Sequence, residues 1–230
     1  MARIPVQAAP TGTEPDRSAL PGLGSRGEVW ERRYVDSPTA PVSEVAGELA
    51  AALSHWTGTV TSFLEEVSGE PVDADVLCHR RASATDVLGS DLMLTGELFL
   101  RSALLTGRRS WRQFVYAETA LAADVLPDQV LRKLELTADP IGRVLDEAAV
   151  RTTRQQIDGP PTPGLAGSEV PAVVRLALSS RRYLISVDGR SMMIIGEWFL
   201  PSLGEVLISQ RMLQRRTGVG HGGEQPAQPT

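Results

Sequence analysis

RYLISVDGRSMMIIGEWFL, residues 182–200, decides the fold. Two apolar runs, 182–187 and 192–200, flank Asp188-Gly189, a dipeptide that accepts positive φ at both positions and so closes a two-residue hairpin. Outward from it, residues 72–78, 92–105 and 113–121 are dense in residue types that suit extended backbone. Thr106-Gly107, followed by Arg108-Arg109, supplies turn chemistry between the last two runs, and residues 150–157 read as a further strand. Helical spacing is confined to two places. Ser43 precedes Val45, Leu49, Leu53 and Trp56 at three- and four-residue intervals, with a second amphipathic run at 57–67 that Gly69 and Pro71 end. Residues 127–134 and 141–147 form a short pair around Asp139-Pro140. Strands that meander, with helices gathered at the start and in one insertion, predict an α+β fold with an antiparallel sheet rather than βαβ units.

Within 230 residues, 42% hydrophobic and 22% charged, there is enough apolar surface for one sizeable core. Residues 1–40 are rich in Pro, Gly, Ser and Thr and read as a disordered arm; 41–212 hold the domain; 213–230, ending in GVGHGGEQPAQPT, read as a flexible tail. The balance of 23 Lys+Arg against 28 Asp+Glu offers no basic face, so neither nucleic acid nor an anionic membrane is an expected partner. Residues 1–20 contain no apolar run and are broken by Pro5, Pro10 and Pro15, unlike a secretory signal or a membrane span. The one cysteine, Cys78, cannot form an internal disulfide, which makes the cytoplasm the expected compartment. His55, His79 and His221 lack metal-ligand spacing, and no Gly-rich phosphate loop precedes a helix, so no metal or cofactor is expected.

Two charged residues break apolar strand patterns. Glu197 shares a strand face with Met193, Ile195 and Phe199, while Met192, Ile194 and Trp198 line the other, so both faces read as buried. A carboxyl group there needs a partner or is driven neutral. Arg101 stands in ELFLRSALL, where its planar donors suit a carboxylate held bidentately. One Arg and one Glu in a cavity fit a small, polar-ended ring acid. Two blander readings stand beside this one: Arg101 and Glu197 pair with each other, or each serves a partly solvated sheet edge. Trp198 and Trp111 fall near the proposed cavity and are candidate fluorescence reporters.

Four stretches in unbroken order over residues 43–203 resemble the chorismate lyase (chorismate pyruvate-lyase) family, including its actinobacterial branch. They are TVTSFLEE (59–66), LR (100–101) with VYAET (115–119), DPIGRVL (139–145) with Thr153-Arg154, and GEWFLP (196–201). The resemblance implies an antiparallel sheet with helices packed on one side and helical flaps over an internal, cofactor-free cavity. It implies conversion of chorismate to 4-hydroxybenzoate and pyruvate. By motif position Arg101 holds the ring carboxylate, and Glu197 faces the oxygen at ring carbon four, at the end of the ring where the enolpyruvyl ether is lost. Glu197 there either donates a hydrogen bond to the departing oxygen or holds the phenol that appears. Backbone at Ile141, beside Gly142, and at Val60 completes the pocket. Two positions depart from the pattern: Val60 stands where ubiquinone-pathway members carry methionine, and Ser102 where an acidic residue is usual.

A second reading from a different class is a non-catalytic sensor of small aromatic acids on the same fold, and a third is a relative yielding an isomeric hydroxybenzoate. The sensor reading needs a DNA-binding module, for which residues 1–40 are too short and too Pro-interrupted. A monomer or weak homo-oligomer is expected.

Overall fold

A computed structural model describes residues 42–56, 58–85, 87, 94–167 and 169–217. The expected arm at 1–40 lies outside the described residues, as does the tail from residue 218. The fold below belongs to residues 40–230.

The fold is α+β: an open six-stranded sheet with every neighbouring pair antiparallel and five α-helices among the described residues. The chain runs through α1 (Val42–His55), α2 (Val60–Ser68), β1 (Val72–Ser83), β2 (Glu97–Gly107), β3 (Gln113–Ala122), α3 (Asp128–Leu136), α4 (Ile141–Glu147), β4 (Thr153–Ile157), a 3-10 turn (Ala172–Leu176), β5 (Ser179–Val187), β6 (Arg190–Phe199) and α5 (Pro201–Thr217). Strand order across the sheet is β1-β2-β3-β6-β5-β4. The hairpin read from Asp188-Gly189 is present as β5–β6, with φ of 49° at Asp188 and 76° at Gly189, the left-handed values that a tight hairpin turn demands.

Sequence reading missed α5, whose start at Pro201 follows the strand without a linker. Proline is well placed there because the first helical residue needs no N–H bond and its φ is already helical. This helix covers residues 213–217, which had been assigned to the tail. Strand β1 runs to Ser83, five residues past its expected end, and β2 begins only at Glu97. Among the described residues no helix is long and apolar enough to cross a membrane.

Burial separates the two sheet faces. One carries the helices, in two clusters. Leu49, Leu53, Phe63, Leu64 and Leu203, from α1, α2 and α5, pack on Ala103, Leu105, Val115 and Phe199. Val130, Leu131, Leu134, Val144 and Leu145, from α3 and α4, pack on Phe99, Leu121, Tyr183, Ile185 and Ile195. The other face is closed by the Pro/Gly-rich segment and the 3-10 turn, with Ala166 and Val174 against Leu98, Leu100, Tyr116, Leu184 and Trp198. Glu118, 1% exposed, anchors that segment by accepting hydrogen bonds from the Gly164 and Leu165 N–H groups and from the Tyr116 hydroxyl. A buried carboxylate is tolerable here because donors surround it.

Candidate active site

Between the two helical clusters the sheet is left uncovered by large side chains. Ala74, Ala103 and Ala117 occupy inward positions, and their small volume leaves a cavity of about 90 Å³ that opens to solvent on one side. Its floor is Arg101, Thr119, Ile195 and Glu197 of β2, β3 and β6. Its rim is Thr59, Val60 and Thr61 at the start of α2, and Pro140, Ile141 and Gly142 at the start of α4. All five residues singled out from sequence, Val60, Arg101, Ile141, Gly142 and Glu197, therefore line one space. Neither tryptophan does. Trp198 lies on the opposite face, its ring centroid 5.4 Å from that of Tyr116, and Trp111 is 75% exposed at the β2–β3 turn.

Arg101 is 2% exposed, yet its Nη2 donates only to the Asp139 carbonyl oxygen, at 2.9 Å. Its Nε and Nη1 meet no hydrogen-bond partner among the described residues. Burial lowers the pKa of this guanidinium, and the nearby Asp139 charge opposes that only in part. Two unpaired, buried charged donors at a cavity mark an anion site, in which either one acts with the second N–H of Nη2 to hold a carboxylate bidentately. The uncompensated desolvation is a standing cost that an anionic ligand removes.

Glu197 is fully buried, and its partner is not Arg101. Cross-strand register sets Arg101 opposite Thr119 and Glu197 opposite Ala117, so β3 stands between the two, about 10 Å across at the usual strand spacing. Instead Arg181, directly across on β5, donates from Nε to Oε2 at 2.6 Å, and Tyr183 donates its hydroxyl to Oε1 at 2.5 Å. Burial works against the Arg181 charge, but the Glu197 carboxylate outweighs it and holds the pKa of Arg181 above its ordinary value. Burial, reinforced by the Glu197 charge, pushes the Tyr183 phenol well above its usual range and keeps it a donor. Glu197 is thus an acceptor at both oxygens, with a second lone-pair site left on each. Arg181 and Tyr183 went unnoticed in the sequence, and Arg154, whose guanidinium carbon sits 4.6 Å from the Tyr183 ring centroid, entered there only as part of the resemblance, without a role.

The two rim helices are fixed to each other. Arg143 of α4 bonds Glu65 of α2 at 2.8 Å and the Val72 carbonyl at 3.2 Å. Thr59 caps α2 by accepting from the Ser62 N–H at 3.2 Å. A Cβ on Gly142 would lie 2.7 Å from the Thr59 Cβ. Alanine would gain about 1 kcal/mol of helix propensity there, but the overlap costs about 1–3 kcal/mol. We therefore expect Gly142→Ala to lower the melting temperature and to weaken ligand binding by parting the rim; a higher melting temperature would show that α2 and α4 do not meet as described.

The chain is a distant relative of mycobacterial chorismate pyruvate-lyases. It is 28% identical over 155 residues to the enzyme of Mycobacterium tuberculosis, covering 64% of this chain and 76% of that one. To the Mycobacterium leprae enzyme it is 27% identical over 150 residues, covering 64% and 71%. No family model matches the chain. Among solved structures it resembles a GntR-family transcriptional regulator from Bacillus cereus (TM-score 0.36, 12% identity, 57% of this chain and 92% of that one). It also resembles the effector domain of PhnF from Mycobacterium smegmatis (TM-score 0.37, 14% identity, 63% and 90%).

Proposed function

We propose that this cavity binds chorismate and eliminates pyruvate from it to leave 4-hydroxybenzoate. The observation that carries the reading is the buried Arg101 guanidinium, whose Nε and Nη1, unsatisfied among the described residues, line the same cavity as a buried carboxylate. Distant kinship to chorismate pyruvate-lyases supports the choice of substrate. Arg101 takes the ring carboxylate. Glu197, two strands away, accepts a hydrogen bond from the hydroxyl on ring carbon four. Of the two roles considered for Glu197, holding this hydroxyl fits its environment, because both oxygens already act as acceptors.

The reaction breaks the bond between ring carbon three and the ether oxygen, whose electron pair leaves with the enolpyruvyl group. The electron pair of the C–H bond at carbon four closes the third ring double bond, and the proton released from that bond is balanced by the one taken up at the enolpyruvyl methylene to give pyruvate. Aromatisation supplies the driving force, so the protein needs no covalent step. Its tasks are to fix one ring conformation, to exclude water, and to place negative potential where the ring becomes electron-poor. Glu197 provides that potential, and the α2 and α4 N-termini act as flaps over the ring. No metal or organic cofactor is required by this scheme, and the compartment it fits is the cytoplasm.

The test is to incubate purified protein with chorismate, follow pyruvate, and identify the aromatic product. Pyruvate and 4-hydroxybenzoate in equal amounts are expected. Binding without pyruvate above background would instead make the protein a sensor of aromatic acids, and an isomeric hydroxybenzoate would overturn the assigned ring orientation.

A further inference from the structure

Arg154 is the cation of the cavity lining that the scheme above leaves without a task. It sits on β4, the outer strand, opposite Ile185 of β5, and is exposed. Its Nη1 reaches the Gly58 carbonyl at 3.2 Å, so it bridges β4 to the segment just before α2. The guanidinium lies over the ring of Tyr183, whose hydroxyl binds Glu197. With Asp146 and Thr152, both exposed, it lines the open side of the cavity. One bond to a backbone carbonyl at an exposed position contributes little to folding.

We propose that Arg154 is a specificity residue that selects ring acids carrying a second carboxylate on a side arm. The inference rests on the reading that the cavity holds a ring anion with its carboxylate on Arg101. The charged residues lining the cavity are Arg101, Asp146, Arg154 and Glu197. Once Arg101 is engaged, a second anionic group is repelled by Glu197 and Asp146, and Arg154 is the remaining cation of the lining. The aromatic ring beneath Arg154 holds its charge in place without neutralising it. A substrate with two carboxylates thus engages both ends, whereas the aromatic product, having lost its side arm, keeps only Arg101. Arg154 accordingly discriminates substrate from product, and product release is eased by the loss of one of two anchors.

The experiment compares two unreactive probes, 3-(carboxymethoxy)benzoate with two carboxylates and 3-methoxybenzoate with one, by calorimetry at low salt on wild type, Arg154→Gln and Arg154→Lys. Wild type is expected to prefer the dicarboxylate by about tenfold or more, the worth of one accessible charge pair. In Arg154→Gln that preference falls to about twofold through loss of dicarboxylate affinity alone, and Arg154→Lys keeps part of it. With chorismate, Arg154→Gln raises KM while leaving kcat nearly intact. Equal weakening of both probes, or of neither, in a folded Arg154→Gln protein overturns the assignment to Arg154 and leaves the cavity reading standing. Wild type that binds neither probe overturns both.

Discussion

Arg101→Met is expected to melt at a higher temperature than the wild type and to bind no benzoate-type acid. Both effects have one cause. In the ligand-free protein the guanidinium is buried with Nε and Nη1 unpaired, and its charge is opposed by burial. Removing two such donors recovers about 1–3 kcal/mol, against which stands the lost bond to the Asp139 carbonyl, worth about 1 kcal/mol. The net gain, roughly 1 kcal/mol, corresponds to a few degrees in Tm for a domain of this size. Binding moves the other way: truncating one partner of a buried charge pair costs about 2–5 kcal/mol, roughly 30-fold or more in Kd. Thermal melts with and without 4-hydroxybenzoate check both halves, since the ligand raises the wild-type Tm by mass action and leaves the variant unmoved. A variant that melts lower and still shifts with ligand would mean that Arg101 is a structural residue.

Glu197→Gln is expected to lose turnover and stability together, and the two losses can be separated. Glutamine keeps an acceptor for the Tyr183 hydroxyl but sets an amide N–H against Arg181 Nε, leaving a buried guanidinium without its counter-charge. Breaking such a pair costs about 3–5 kcal/mol. Replacing all three members by apolar residues of similar volume, as in Arg181→Met with Glu197→Leu and Tyr183→Phe, is close to neutral because neither a charge nor an orphaned hydroxyl is then buried. The triple variant should therefore regain stability while chorismate turnover stays about 100-fold or more below wild type, the size of effect seen when a preorganised charge is removed from an active site. Turnover that returns with stability would assign Glu197 a purely architectural role.

Much of this site was legible because burial of charge is visible in a strand pattern. Arg101 and Glu197 stand out by alternation alone, and the turn at Asp188-Gly189 fixes the hairpin that carries Glu197. The partner of Glu197 was not legible, for a geometric reason. Counted outward from a regular two-residue turn, Glu197 falls opposite Ser180; a bulge between Ile185 and Ser186 shifts the register by one and brings Arg181 across from it. Nothing local in the sequence marks that bulge. Arg154, though part of the resemblance, received no role because β4 is an exposed edge strand, where arginine is unremarkable until its distance to the Tyr183 ring is known. Helix α5 was overlooked because GEWFLP was read only as the end of a strand, although Pro201 also opens the helix that follows.

The central claim is that one ring anion spans from Arg101 to Glu197, and a crystal structure of the protein with 4-hydroxybenzoate tests it most directly. The account predicts the ligand carboxylate on the Arg101 guanidinium, and its hydroxyl within hydrogen-bond reach of Glu197. A ligand lying in the reverse sense, with its carboxylate toward Arg154 or Arg181, or bound outside this cavity, would contradict it.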